Sequence, residues 1–213
     1  MLFAAMPFFY SVSAQDTTFT NRRNAIGIEV TGLIPMSFGD LGGPTQYPYF
    51  LTYRRAIGPG WARFGVGAYG YSDKSDGDPN SSVIERERGQ WWMNVRLGYA
   101  IPLINERRWL VLGGVDFLHS RMEFTYRDLW EDNDERKHRA SSIGSGLGLA
   151  IDAQYRIGKR VAIGTEFNAQ AMISKSKEDR TYSLDPEYDS HSTSETTDLG
   201  VIRAFSLFLH AYF

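Results

Sequence analysis

Residues 201–213 read V-I-R-A-F-S-L-F-L-H-A-Y-F, and this stretch decides the architecture. Counting back from the end, Phe213, Ala211, Leu209, Leu207 and Phe205 are apolar, whereas Tyr212, His210, Phe208, Ser206 and Ala204 form a mixed set. Successive side chains leave a β-strand on opposite faces, so strict alternation of this kind predicts a strand with one greasy side.

Seven earlier segments show the same period. Residues 25–35 set Ile26, Ile28, Val30 and Ile34 against Gly27, Glu29 and Thr31. Residues 47–57 and 61–72 follow, the second with Phe64, Val66 and Ala68 opposite Arg63, Gly65 and Gly67. Residues 90–101, 109–124, 140–157 and 161–174 continue the scheme, and none has a helical period. The clearest is 140–157, where Ile143, Leu147, Leu149, Ile151, Ala153 and Tyr155 oppose Gly144, Gly146, Gly148, Ala150, Asp152, Gln154 and Arg156. Connections alternate long and short. The short ones hold Gly58-Pro59-Gly60, Pro102–Arg108 and Gly158-Lys159-Arg160; the long ones are charged and poor in aliphatics. The expected fold is therefore all-β, an eight-stranded antiparallel up-and-down transmembrane β-barrel over residues 25–213, with short periplasmic turns and long extracellular loops. An even strand count puts both ends of the chain on the periplasmic side.

Which face lies inside follows from volume. An eight-stranded barrel has a lumen only wide enough for side chains to fill. It cannot take dozens of Ile, Leu, Phe and Tyr, but it has room for glycine and long polar groups. The polar face carries Arg54, Arg63, Arg96 and Arg156 against Glu29, Asp116, Asp152 and Glu166. Buried charges are tolerable when balanced and paired, so these eight are expected to form an interior network. Aromatic residues near strand ends are expected as interfacial girdles: Trp61, Tyr99, Trp109, Tyr155 and Phe213 at one rim, and Tyr47, Tyr49, Tyr71, Trp91 and Trp130 at the other.

Composition narrows the function classes. A net charge of −2 without a basic stripe excludes a nucleic-acid partner, and the absence of cysteine excludes disulfides and thiolate metal sites. No apolar run is long enough for a transmembrane helix. Residues 1–14 read as a secretory signal ending at Val12-Ser13-Ala14, and residues 15–24 as a periplasmic tether.

The N-V-R-L-G-Y-A strand at 94–100, the S-G-L-G-L-A-I-D-A-Q-Y-R strand at 145–156 and the terminal L-F-L-H-A-Y-F resemble small outer-membrane barrels of the kind grouped with OmpX and the OmpA membrane domain. The resemblance implies the outer membrane of a Gram-negative bacterium. It also implies contact with outer-membrane lipid and lipopolysaccharide, and recognition by the barrel-assembly machinery through Phe205, Leu207, Leu209 and Phe213. The terminal signal departs from the usual pattern in having Ala211 two places before the last Phe and bulk at Phe208.

Candidate chemistry is sparse. His119 and Ser120 are adjacent and so point to opposite faces, unlike the His and Ser two apart used by barrel deacylases. His210 is expected to face the lumen, and His138 and His191 to lie in loops. The acidic runs Glu131-Asp132-Asn133-Asp134-Glu135 and Asp185-Pro186-Glu187-Tyr188-Asp189 lack the glycine and spacing of a calcium loop. Residues 73–82, with Asp76-Gly77-Asp78-Pro79, read as a mobile loop tip. The expected function is thus a non-enzymatic barrel with a plugged interior, no cofactor and no metal. It would serve envelope integrity or bind an extracellular ligand through its loops. A lipid A-modifying enzyme and a small-solute pore are the alternatives.

Overall fold

A computed structural model describes residues 23–30, 51–76, 82–131 and 134–213, with side chains throughout except at 200–206. Eight strands form a closed barrel in sequence order: β1 (Asn24–Glu29), β2 (Leu51–Ile57), β3 (Gly60–Asp76), β4 (Val83–Asn105), β5 (Trp109–Trp130), β6 (Glu135–Arg156), β7 (Val161–Tyr182) and β8 (Ser190–Tyr212). Every neighbouring pair is antiparallel, and β1 closes on β8. The signal segment, the tether up to residue 22, Tyr47 and Tyr49 lie outside the described residues. Among those described, no helix is long and apolar enough to cross a membrane.

Alternation translates directly into faces. Leu147, Leu149 and Ile151 on β6 are half or more exposed, at 61%, 64% and 50%, while Gly148, Ala150 and Asp152 between them are buried. The barrel is therefore greasy outside and polar inside, the reverse of a soluble barrel. On β7 the outward apolar run spans Ile163 to Ile173. At about 3.3 Å per residue and a tilt of about 40°, it covers roughly 25 Å, the height of the apolar band of an outer-membrane barrel.

The strands run further than the hydropathy alone predicts. Alternation of grease ends near Trp91, His119, Ile143 and Ile173, yet β4 to β8 continue as paired hairpins well beyond. Long loops expected over 73–89, 125–139 and 175–200 are thus mostly extended sheet. The missing signal is the ladder itself, because outside the hydrocarbon layer a strand needs no greasy face. Cross-strand charge pairs hold it: Lys74 with Glu85 at 2.8 Å, Arg86 with Asp128 at 3.1 Å, and Arg127 with Glu135 at 2.5 Å. Opposite charges across a ladder stabilise modestly, and here they recur along it. At the other end the connections are tight, with Glu106 N–H donating to the Trp109 carbonyl at 2.8 Å and Ile157 N–H to that of Val161 at 3.0 Å.

Candidate functional site

Among the described residues, the mid-barrel interior gathers six charged side chains. Arg54 comes from β2, Arg63 from β3, Arg96 from β4, Asp116 from β5, Asp152 from β6 and Glu166 from β7, all at most 3% exposed. Glu166 accepts from Arg63 at 2.6 Å and from Arg96, with Arg54 3.9 Å away. Arg54 pairs with Asp152, and Asp116 lies 3.5 Å from Arg63 and 3.8 Å from Arg96. Among the described residues three guanidiniums thus face three carboxylates, so these six side chains balance in charge.

Inward glycines make the room. A Cβ at Gly65 would meet the Nε of Arg96 at 2.5 Å, and one at Gly98 would meet Asp116 Oδ1 at 1.9 Å and the Val115 carbonyl at 2.5 Å. Arg96 lies flat across the one, and Asp116 sits in the space left by the other. Gln154 donates to Asp152 at 3.1 Å and accepts from the Tyr212 hydroxyl, linking the charges to the layer below.

That lower layer is apolar. Ala100, Leu110 and Leu112 pack against one side of Trp61, and Ala25, Ala162 and Tyr212 against the other, the Trp61 and Tyr212 rings meeting edge-on at 6.2 Å. It floors the barrel at the end with the short turns. Trp61 therefore does not join the outward girdle: its parity with Arg63 turns it inward. Tyr99, Trp109 and Tyr155 do face outward at this rim, with Tyr99 hydroxyl donating to the Ile57 carbonyl at 2.8 Å and Trp109 stacked edge-on to Tyr155 at 5.1 Å.

Arg156 of the expected network lies apart from this cluster. Arg156 donates to the Glu106 carbonyl at 2.8 Å and to Asn105 Oδ1 at 2.9 Å, which fastens the β4–β5 turn. Glu29 shares the inward face, half-buried and opposite Phe208 across the seam. Leu209 and Phe213 point outward at 46% and 57% exposure, Leu207 is half-buried, and the side chain of Phe205 lies outside those described.

At the other end the inward face opens into an aromatic mouth. Tyr71, Arg88, Phe124, Tyr126 and His138 line a groove of about 360 Å³, so Tyr71 belongs to the mouth and not to an outward girdle. Higher still, Trp130 carries Arg136 over its ring at 4.1 Å. His138 lies in a strand, 3.0 Å from Glu178, and His191 in β8 meets Asp179.

Asp132 and Asn133 lie outside the described residues; Asp134 and Asp189 of the acidic runs serve the hairpin ends. Asp134 accepts from Arg136 at 2.7 Å, from the Ser183 hydroxyl at 3.1 Å and from Leu184 N–H at 3.3 Å. Asp189 accepts from Tyr182 N–H at 2.8 Å beside the 3-10 turn Pro186–Tyr188. Among the described residues no group of His, Asp and Glu is placed to hold a metal ion. The Arg136 guanidinium, with help from Leu184 and Ser183, holds the Asp134 carboxyl below the usual carboxylate range. A depressed folded value means its contribution is complete above about pH 4, the unfolded value, and is lost as pH falls through the lower folded one. Amide exchange at Ser183 and Leu184 is therefore expected to reflect the same opening equilibrium from pH 5 to 8. In Asp134→Asn it should accelerate on the order of tenfold at neutral pH, the loss of a charged acceptor. Unchanged protection in that variant would show the clamp to be idle.

His119 and Ser120 do point to opposite faces. The register, however, brings His119 opposite Ser145 of β6 on the outward wall, with Nδ1 2.9 Å from the Ser145 hydroxyl. Sequence reading missed this pair because it depends on which strands are neighbours and at what stagger. No carboxylate is bonded to His119 among the described residues.

A family model described as outer membrane protein beta-barrel domain matches residues 1–198. No curated protein is significantly similar to the chain. Two solved structures from Acinetobacter baumannii are similar over most of their length. CarO is 9% identical, covering 91% of this chain and 97% of that one at a TM-score of 0.33. CarO2 is 7% identical, covering 90% and 98% at a TM-score of 0.34.

Proposed function

The chain belongs to the outer membrane protein beta-barrel domain family, and from that premise we propose that it is a sealed, non-enzymatic barrel acting through its walls and its protruding sheet. It resides in the outer membrane of a Gram-negative bacterium. In such barrels the short turns face the periplasm and the extended hairpins the outside. The observation that carries the reading is the double closure of the lumen: Arg54, Arg63, Arg96, Asp116, Asp152 and Glu166 fill its middle, and Trp61, Leu110, Leu112 and Tyr212 its floor. An interior filled this way leaves no water column for a solute. The polar outside of the β4–β8 hairpins then offers a surface to an extracellular ligand or a neighbouring envelope component.

Planar-bilayer recording tests the closure. Purified protein is expected to give negligible or small conductance. A stable, large open-channel current would instead support the pore reading.

A second reading, a lipid-hydrolysing barrel, draws on the His119–Ser145 pair, whose distance is that of a base and its nucleophile. Against it stands that, among the described residues, no carboxylate orients the imidazole. Mass spectrometry of lipid A from cells with and without the protein decides between the two; a mass change abolished by Ser145→Ala would establish the enzyme.

A further inference from the structure

The outward wall is not uniformly flat or uniformly apolar. Ala169 and Ala171 on β7 are small where Leu147 and Leu149 on β6 and Leu199 on β8 are large. With Val115 they leave a groove of about 560 Å³ on the lipid-facing surface. A lone dip in a membrane wall is filled by any acyl chain. What distinguishes this one is the chemistry directly above it.

Two residues beyond Ile173, the outward face of β7 changes from grease to Lys175 and then Lys177. In the same row Ile143 of β6 pairs with Lys175 on one side and with Arg121 of β5 on the other. Two strand spacings place Arg121 and Lys175 about 10 Å apart, and Lys177 follows Lys175 by about 6.6 Å. All three side chains are on exposed residues. Of the carboxylates around them, Glu123 is paired with Arg139, whereas Asp179 meets His191, a contact that balances its charge only when the imidazole is protonated. Glu195, opposite Lys175 in register, is the other described carboxylate of this patch. Three cations therefore stand against two anions, Asp179 and Glu195, at the height where hydrocarbon gives way to headgroups. Arg121 lies 5.8 Å from the Trp91 ring centre, an interfacial aromatic that keeps the guanidinium at that level. One row below, His119 and Ser145 add hydrogen-bonding groups at the boundary.

We propose that the β5–β7 wall is a binding site for one phosphorylated glycolipid of the outer leaflet, with an acyl chain in the Ala169–Ala171 groove and a phosphate on Arg121, Lys175 and Lys177. The groove supplies shape and the cations supply charge. A zwitterionic or singly charged glycerophospholipid satisfies the first but uses the second poorly. The site rests on the outward orientation of the apolar face argued above.

The test uses the full chain folded in detergent, exchanged separately with bisphosphorylated lipid A, dephosphorylated lipid A and phosphatidylglycerol, then washed and weighed by native mass spectrometry. The wild-type protein is expected to retain one bisphosphorylated molecule, and to retain the other two lipids at least tenfold less. Arg121→Ala/Lys175→Ala/Lys177→Ala should lose that preference, and Ala171→Phe should lower retention with the cations intact. Equal retention of phosphatidylglycerol, or wild-type retention by the triple variant, overturns the site. The lipid comparison stands on wild-type protein alone, so it holds even where a variant fails to fold. Quenching of tryptophan by brominated acyl chains, read on the same wild-type sample, separates the two levels. Its absence refutes the outward-facing wall, whereas quenching with unselective retention refutes only the site.

Discussion

Glu166→Gln is expected to lower the unfolding free energy by about 3–5 kcal/mol, the cost of leaving a buried charge without its partner. Among the described residues Glu166 is the one carboxylate within 4 Å of all three arginines of the plug, at 2.6 Å from Arg63, 3.9 Å from Arg54 and bonded to Arg96. An amide keeps the shape and loses the charge, so within these six side chains three guanidiniums would face two carboxylates, Asp116 and Asp152. Exposed pairs contribute far less, typically up to about 1 kcal/mol. Glu178→Gln, which breaks contacts to Arg180 and His138 on the protruding sheet, is therefore the matched control. Removing one charge of each sign restores balance, so Glu166→Gln/Arg96→Met should recover part of the loss. Urea midpoints followed by heat-modifiable gel mobility read all three variants. Should Glu166→Gln prove no more costly than Glu178→Gln, the interior ions do not hold the barrel together.

Deleting Phe213 should reduce the assembled fraction several-fold while unassembled chain accumulates. The reason lies at the seam, where β1 and β8 share five registered pairs, Ala25 to Glu29 against Tyr212 to Phe208. Just below the first of them, Ala25–Tyr212, Asn24 N–H donates to the Phe213 carbonyl at 3.1 Å and Phe213 N–H to that of Asn24 at 3.0 Å. Closing the ring costs the entropy of bringing the two ends of the chain together, and it is repaid only by these bonds and by the floor that Tyr212 completes. Phe213→Tyr keeps both the backbone pair and an interfacial ring, and should assemble normally. Full yield from the deletion would show that closure is secured elsewhere.

Much of this was legible in parity. A period of two assigns each residue a side, and the narrow lumen then says which side is in; Arg54, Arg63, Arg96, Asp116, Asp152 and Glu166 were all reachable that way. Arg156 shared their parity but not their height, and period alone carries no height. The floor was hidden for a related reason. Trp109-Leu110-Val111-Leu112 is apolar on both faces, so nothing in it separates the lipid side from the lumen side. Trp61 had the inward parity, but an aromatic at a strand end was read as a girdle. The protruding hairpins were obscured because hydropathy reports a membrane, and beyond it a strand is held by charge pairs such as Lys74–Glu85 that resemble loop composition. The His119–Ser145 contact and the cation row above it required the stagger between strands, which no single segment encodes.

The two closures of the lumen act in series, and they yield to different disturbances. An aromatic and aliphatic floor loosens when its rings swing aside; an ionic layer opens when guanidiniums trade a carboxylate for water. For a molecule to slip through, both fluctuations must coincide, and the chances of independent rare events multiply. In the sealed barrel proposed here, a cylinder barely wider than its own side chains thereby becomes a tighter barrier than either stopper alone.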